Sequence, residues 1–304
     1  VLEAGLGGEH DATNIIPRSA VSIITGIGLD HTHVLGETLP EIAADKLGIV
    51  RAGTPLLTAE HRPEILAQFR RKTERVNAAL DVCGQAFHLQ NVLADAEGTT
   101  FDYASDRLDL RALHVNMRGA YQARNAAVAM RAVERIAAAN GRALDESSLR
   151  AGLLATRIPA RYEQMQEQPP VILDGAHNPD KIEEFAAYLQ TRFTAGAVIF
   201  VCGFTSGRNL EAMLTPLLAV SSTFYLTRVM TGFRATEEPF HVKAILKRLA
   251  PDAQADISLD PSDALDAAIA QAERGGRAVC VTGSLYLAGH LRQRWFPEYQ
   301  ALSY

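Results

Sequence analysis

Hydrophobic and polar positions follow two different rhythms along this chain. In the first half the rhythm changes repeatedly. Residues 1–3 close a short apolar run and predict the end of a strand. Residues 21–25 (VSIIT) form a β-branched run that stops at Gly26 and Gly28, as a buried strand does on entering a loop. Residues 38–50 predict a helix. Thr38 stands as N-cap, Glu41 follows at the capping-box spacing, and Ile42, Ile49 and Val50 supply a partial core face. Between Asp81 and Met117 the stretches AFHLQ, TTFDY and LDLRALHV alternate apolar with polar, which predicts small antiparallel strands. The Ala-rich stretch 119–139 then returns to a helical pattern.

From about Ala160 the rhythm becomes regular. Strand-like runs fall at VILD (171–174), AVIFVC (197–202), TFYL (223–226) and RAVCVT (277–282). Helical stretches lie between them, at roughly 179–192, 209–220, 239–249 and 262–274. Strands alternating with helices of this length predict a doubly wound, mostly parallel sheet, whose ligands bind at the carboxyl ends of its strands. The stretches at those ends are DGAHNP (174–179), CGFTSGRN (202–209) and TGSLY (282–286). The boundary between the two halves falls near 156–161, with no internal repeat and no low-complexity linker.

Composition narrows the class. A length of 304 residues suits two domains, and 47% hydrophobic with 21% charged residues is ordinary for globular protein. A net charge of −5 argues against a nucleic-acid coat or a membrane-surface protein, while leaving room for a local basic pocket. Cys83, Cys202 and Cys280 are odd in number and far apart, and the last two lie in apolar runs, as free thiols of a reducing compartment do. No apolar run reaches the ~18 residues of a membrane span, and no signal peptide is visible. A cytoplasmic protein is expected. The chain opens on VLE without Met, which suggests a fragment.

Three residues of the first half stand where chemistry could lie. Glu3 precedes a glycine-rich turn, His31 follows a second strand and its loop (GIGLDHTHVLG), and Lys46 lies on the helix after that. A carboxylate and an imidazole at adjacent strand ends can meet over a cation, although imidazole is an unusual ligand for Mg²⁺. The plainer alternatives are a loop anchor for Glu3, a hydrogen-bonded strand-end histidine for His31 and a solvated helix lysine for Lys46. DGAHNP is more telling. Asn178 and Pro179 suit the cap and first position of a helix. Such a turn aims backbone N–H groups and the positive helix end at an anion, with Asp174 and His177 flanking a phosphate. A capped turn alone explains Asn178 and Pro179 but not His177. TGS (282–284) reads equally as a second anion nest or as a tight turn.

Taken together, LEAGLGGEHDATN (2–14), SIITGIGLDHTHVLGETLPEIAADKLGIV (22–50), GAYQARNAAVA (119–129), IPARYE (158–163), ILDGAHNP (172–179) and TGSLYLAG (282–289) resemble the folylpolyglutamate synthase/dihydrofolate synthase family of the ATP-dependent Mur ligases. The resemblance implies an α/β protein. Residues 1–158 would form a central P-loop-type ATPase domain, incomplete at its start, and residues 159–304 a doubly wound, Rossmann-like Mur ligase C-terminal domain. It implies a ligase that uses ATP and Mg²⁺ to turn a folate or dihydropteroate carboxylate into an acyl phosphate, which the amino group of L-glutamate then attacks. Water must be kept from that acyl phosphate by domain closure. By position, Glu3 and His31 match the family's magnesium ligands. Lys46 matches its carbamylated lysine, which supports a second Mg²⁺. Asn125 matches a nucleotide contact, Arg161 an arginine on the ATP phosphates, and Asp174 and His177 the residues that close over the nucleotide. Lys46, Asp174 and His177 are the residues implied for catalysis. Ser284 and Tyr286 share a motif but carry no implied role. The implied partners are small molecules only, with no nucleic acid and no membrane, and the implied state is a monomer.

The departures also count. The family's phosphate-binding loop lies upstream of the segment matching Glu3, and no G-x-x-x-x-G-K-[ST] occurs in these 304 residues. The expectation is that this chain alone does not turn over. Tyr121 stands where the family has His, Ala160 where it commonly has Gly, and TSGRNL follows CGF in place of an acidic-basic-acidic stretch. Two other readings stand beside the ligase: a P-loop-less relative kept as a binding module, and another Mur-type amide ligase.

Overall fold

The computed structural model describes residues 1–232 and 235–297. They form two compact units, Val1–Thr156 and Arg157–Tyr304.

In the first unit, strand β1 (Ser22–Ile24) leads through helices α1 (Thr32–Leu35) and α2 (Leu39–Lys46) to β2 (Leu56–Thr58), and helix α3 (Pro63–Arg75) leads on to β3 (Leu80–Val82). The three strands make a parallel sheet in the order β1-β2-β3. A hairpin series, β4 (Phe87–Ala94), β5 (Thr99–Ser105) and β6 (Asp109–Val115), makes a separate antiparallel sheet before helices α4 (Ala120–Ala139) and α5 (Glu146–Ala155). Side chains alternate across a strand, and β2 uses this to serve two cores. Leu56 packs with Ile42, Ala43, Ile65 and Phe69 of α2 and α3. Leu57 packs instead with α4 and the antiparallel sheet, against Phe101, Leu113, Ala127 and Met130. Arg131 of α4 holds Asp81 and Glu134 at 2.7 Å each, and the Ser105 hydroxyl donates to Glu134 at 2.7 Å.

Strand β7 (Glu163–Glu167) opens the second unit, followed by β8 (Pro170–Leu173), α6 (Pro179–Arg192), β9 (Val198–Cys202), α7 (Leu210–Leu218), β10 (Thr223–Leu226), α8 (Pro239–Leu249), β11 (Gln254–Ile257), α9 (Pro261–Gly275), β12 (Ala278–Thr282) and α10 (Leu285–Arg292). The sheet order is β11-β10-β9-β12-β8-β7, parallel except for β7. β9 and β12 are buried along their whole length, as continuous apolar runs in a doubly covered sheet must be. Val171, Ile199, Val201, Val279 and Val281 face α9 and α10 through Ala268, Leu265 and Leu287. On the opposite parity, Phe200 and Phe224 are register partners with rings stacked at 5.4 Å.

Two expectations fail. Residues 1–3 form no strand; nothing among the described residues pairs with them, and an extended segment without a partner is not a strand. Asp81 does not open the antiparallel region. It lies in β3, at the edge of the parallel sheet.

Candidate active site

Of the residues singled out in the first unit, Lys46 lies at the end of α2. The start of α2 carries the expected capping box: Glu41 N–H donates to Thr38 Oγ1, and Thr38 N–H donates back to Glu41 at 3.0 Å. Lys46 is its last residue and is half-buried. The glycine-rich loop lies directly on this helix end. Glu9 N–H donates to the Asp45 carbonyl at 3.0 Å. A Cβ on Gly8 would stand 2.9 Å from Lys46 Cα, and one on Gly48 would stand 2.4 Å from Glu9 Cα. These glycines let two backbone segments touch. Asp11 closes the loop by accepting from Leu6 N–H at 2.9 Å and Thr13 N–H at 2.9 Å. Asp45 Oδ2, beside Gly7, is buried without a hydrogen-bond partner among the described residues.

Glu3 is exposed, in the irregular segment before the loop. His31 has a left-handed backbone (φ 51°) at the N-cap of α1; its N–H donates to Asp30 Oδ1 at 2.8 Å and its ring Nε2 lies 3.5 Å from the same oxygen. Glu3, His31 and Lys46 do not form a cage: among the described residues no group of three or more His, Cys, Asp or Glu is placed to hold a metal. A carboxylate and an imidazole are donor types that a magnesium ion takes when water and phosphate supply its other ligands. Asn125 is exposed on α4, where its amide donates to Gln122 at 3.1 Å.

In the second unit Arg161, Asp174 and His177 come together at the carboxyl end of β8. Asn178 caps α6 by accepting from Lys181 N–H at 3.0 Å, and Pro179 fills the first helical position. His177 Nδ1 lies 2.8 Å from the Gly175 carbonyl and its Nε2 lies 3.2 Å from Lys181 Nζ. A carbonyl only accepts, so Nδ1 carries the proton and Nε2 presents its lone pair to the ammonium. Arg161 NH1 passes so close over Gly175 that a Cβ there would stand 3.0 Å from it. Arg161, Lys181 and the start of α6 therefore supply positive charge around one turn.

Asp174 does not face this space. It is buried, and its two oxygens are taken by Tyr162 N–H and Ala176 N–H, both at 2.8 Å. Burial pushes its carboxyl up to about 6, against the pull of those two N–H groups and of Arg161 and Lys181. Its work is to hold the loop bearing Arg161. That loop is bent on both sides of the arginine, with φ 54° at Ala160 and 48° at Tyr162. Gly175 N–H donates to Ala160 O at 2.8 Å, Ala160 N–H donates to Glu163, and Glu163 is gripped in turn by the Arg292 guanidinium. Left-handed non-glycine residues cost energy and persist where surroundings over-determine them. In the TGS turn, Gly283 is held by packing and by one backbone bond. Gly283 N–H is already spent on Ala176 O at 3.0 Å, and a Cβ on Gly283 would meet Gly203 O at 2.6 Å.

The family described as "Dihydrofolate synthetase, C-terminal domain" matches residues 160–294. The chain is 30% identical to the dihydrofolate synthase/folylpolyglutamate synthase of Bacillus subtilis, over 97% of its own length and 66% of that protein. It is 31% identical to the folylpolyglutamate synthase of Lacticaseibacillus casei, over 96% and 66%. The chain belongs to the folylpolyglutamate synthase/dihydrofolate synthase family. A Mycobacterium tuberculosis folylpolyglutamate synthase, solved in complex with ADP and AMPPCP, superposes with a TM-score of 0.87 at 25% identity, covering 96% of this chain and 67% of that one. The chain thus spans about two thirds of the length of the relatives it matches.

Sequence reasoning missed Glu60 and Arg62. Glu60 lies just beyond β2, buried, with Arg62 Nε at 2.9 Å. Nothing in the local pattern TAEHRP distinguishes it from an ordinary polar turn.

Proposed function

We propose that the protein is an ATP-dependent ligase that adds L-glutamate to a folate or dihydropteroate carboxylate. The supporting observation is a family likeness that runs along 96–97% of the chain and includes a nucleotide-bound relative. Residues 1–158 would be the central ATPase domain and residues 159–304 the C-terminal domain, a division supported by the two compact units and by a family match that starts at residue 160.

In this reading a carboxylate oxygen of the pterin substrate attacks the γ-phosphorus of ATP, the bond to ADP breaks, and an acyl phosphate forms. The glutamate amine then attacks the acyl carbon, loses its proton, and phosphate departs. Both steps bring anions together, so fixed positive charge must be waiting. Arg161 and the α6 terminus supply it in the second unit, with His177 oriented by Gly175 and Lys181. Asp174 contributes by holding the Arg161 loop, so it acts as a positioning residue. Asn125 contacts the nucleotide. Glu3 and His31 would hold magnesium, which neutralises charge on the phosphates when bound; Lys46, once carbamylated, would offer a further carboxylate oxygen. The compartment is the cytoplasm, supported by three unbridged cysteines and by the absence, among the described residues, of any helix long and apolar enough to cross a membrane.

The test uses the protein in its full natural length. ADP release should require both L-glutamate and either dihydropteroate or tetrahydrofolate. No turnover with either acceptor sinks the reading. His177→Ala and Lys46→Ala should each lower kcat on the order of 100-fold while leaving the circular dichroism unchanged.

A further inference from the structure

We propose that Glu60 and Arg62 are positioning residues for His31, acting through the backbone of the loop between β1 and α1. The proposal rests on the reading of His31 as a magnesium ligand.

The β1–β2 ladder pairs Ile24 with Thr58, and its last rung is Ala59 N–H on the Thr25 carbonyl at 3.1 Å. Beyond that rung the two chains part, and side chains take over from backbone. Glu60 Oε2 accepts the Ile27 N–H at 2.9 Å. Arg62 lies on the same carboxylate in a two-point grip, Nε on Oε1 and NH2 on Oε2, each at 2.9 Å. Arg62 NH2 also donates to the Ile27 carbonyl. Both polar groups of one loop residue are therefore held by one ion pair. The pair is itself anchored, because Oε1 accepts His61 N–H and Arg62 N–H, and Glu60 N–H donates to Thr58 Oγ1, all at 2.9 Å.

The placement matters because of what surrounds Ile27. Gly26 and Gly28 flank it, and a Cβ on Gly26 would meet nothing within 4 Å. Packing does not restrain Gly26, and glycine restrains its own backbone least of all residues. Ile27 is the fixed point of that loop, with its side chain in the α2–α3 core and its peptide in the clamp. His31 follows four residues later. A buried ion pair is seldom kept for stability, since apolar residues of like volume do as well. An apolar pair could not hold an N–H and a C=O at once. The charges are used for position, as a supporting shell around a metal ligand is.

The experiment compares wild type with Glu60→Gln, Arg62→Lys and His31→Ala in the full-length protein. Two readouts are taken: Mn²⁺ affinity in the presence of ADP, by electron paramagnetic resonance, and hydrogen exchange without metal. The clamp variants should weaken Mn²⁺ about tenfold. They should also speed exchange at Ile27–His31 while leaving the strand 109–115 unchanged. Faster exchange with wild-type Mn²⁺ affinity overturns the proposal, because the clamp would then be structural only. Arg62→Lys keeps the charge and loses the two-point grip, so it carries the test if Glu60→Gln does not fold. His31→Ala separates the two levels. Unchanged Mn²⁺ affinity there refutes the metal reading itself, whereas affinity lost there but kept in both clamp variants refutes the clamp alone.

Discussion

Glu60 in the first unit and Asp174 in the second hold comparable posts. Each lies just past a parallel strand, each is buried, and each ties down a neighbouring loop by accepting its backbone N–H. They nevertheless titrate in opposite directions. Glu60 takes three backbone N–H groups and a guanidinium in contact, and is held down at about 2. Asp174 takes two N–H groups, with Arg161 and Lys181 acting only from a distance, and burial pushes it up to about 6. Burial penalises both anions. The number and charge of donors in contact decides which effect wins.

The largest expected effect breaks the first member of the pair. Arg62→Met leaves the Glu60 charge buried without its cation and should cost about 3–5 kcal/mol, read by urea unfolding at pH 7 with far-UV circular dichroism. A loss below about 1 kcal/mol would mean that backbone donors alone suffice. The next effect concerns Asp174. The folded chain keeps its proton up to about pH 6, while the unfolded chain releases it near 3.8. The resulting stability is complete below pH 3.8 and is lost as pH rises to 6, by about 3 kcal/mol. Glu60 runs the other way: its contribution is present above pH 4.5 and lost as pH falls towards 2. Asp174→Asn should flatten the pH 4–6 slope. Trp295, the only tryptophan and packed on the second unit's core, reports on that unit by fluorescence. A slope unchanged in Asp174→Asn would assign it to another group. The smallest effect sharpens the comparison by relaxing the loop that Asp174 holds. Ala160→Gly removes a left-handed penalty of about 1–2 kcal/mol but frees the unfolded chain, for a net gain of about 0.5–1 kcal/mol. The same fluorescence measurement should show it.

Much of the fold was legible, and unevenly so. β9, β10 and β12 were plain because buried parallel strands are written as unbroken apolar runs. α6 and α8 were plain because Pro179 and Pro239 mark their first positions. β7 was not, since EQMQE has the polarity of a loop and becomes a strand only through its pairing with β8. β2 was missed because three residues are too few to set a period. Around the candidate site, the α2 capping box and the Asn178 cap followed from local spacing. The work of Asp174 did not, because it depends on Tyr162, twelve residues earlier in the chain. The Glu60 clamp was invisible for the same reason across a longer gap, 33 residues to Ile27. Local chemistry can be read from neighbours, whereas a buried carboxylate is defined by whatever the fold delivers to it.

The strand order of the second unit has a consequence for behaviour in concentrated solution. An open sheet has two rims, and each offers unpaired peptide groups to any other chain. Here the rims are β7 and β11. They read EQMQE and QADI, whereas the sticky sequences VIFVC and AVCVT are enclosed at the centre. Acids and amides along both rims repel or hydrate an approaching strand. These apolar runs are thereby shielded for as long as the unit stays folded.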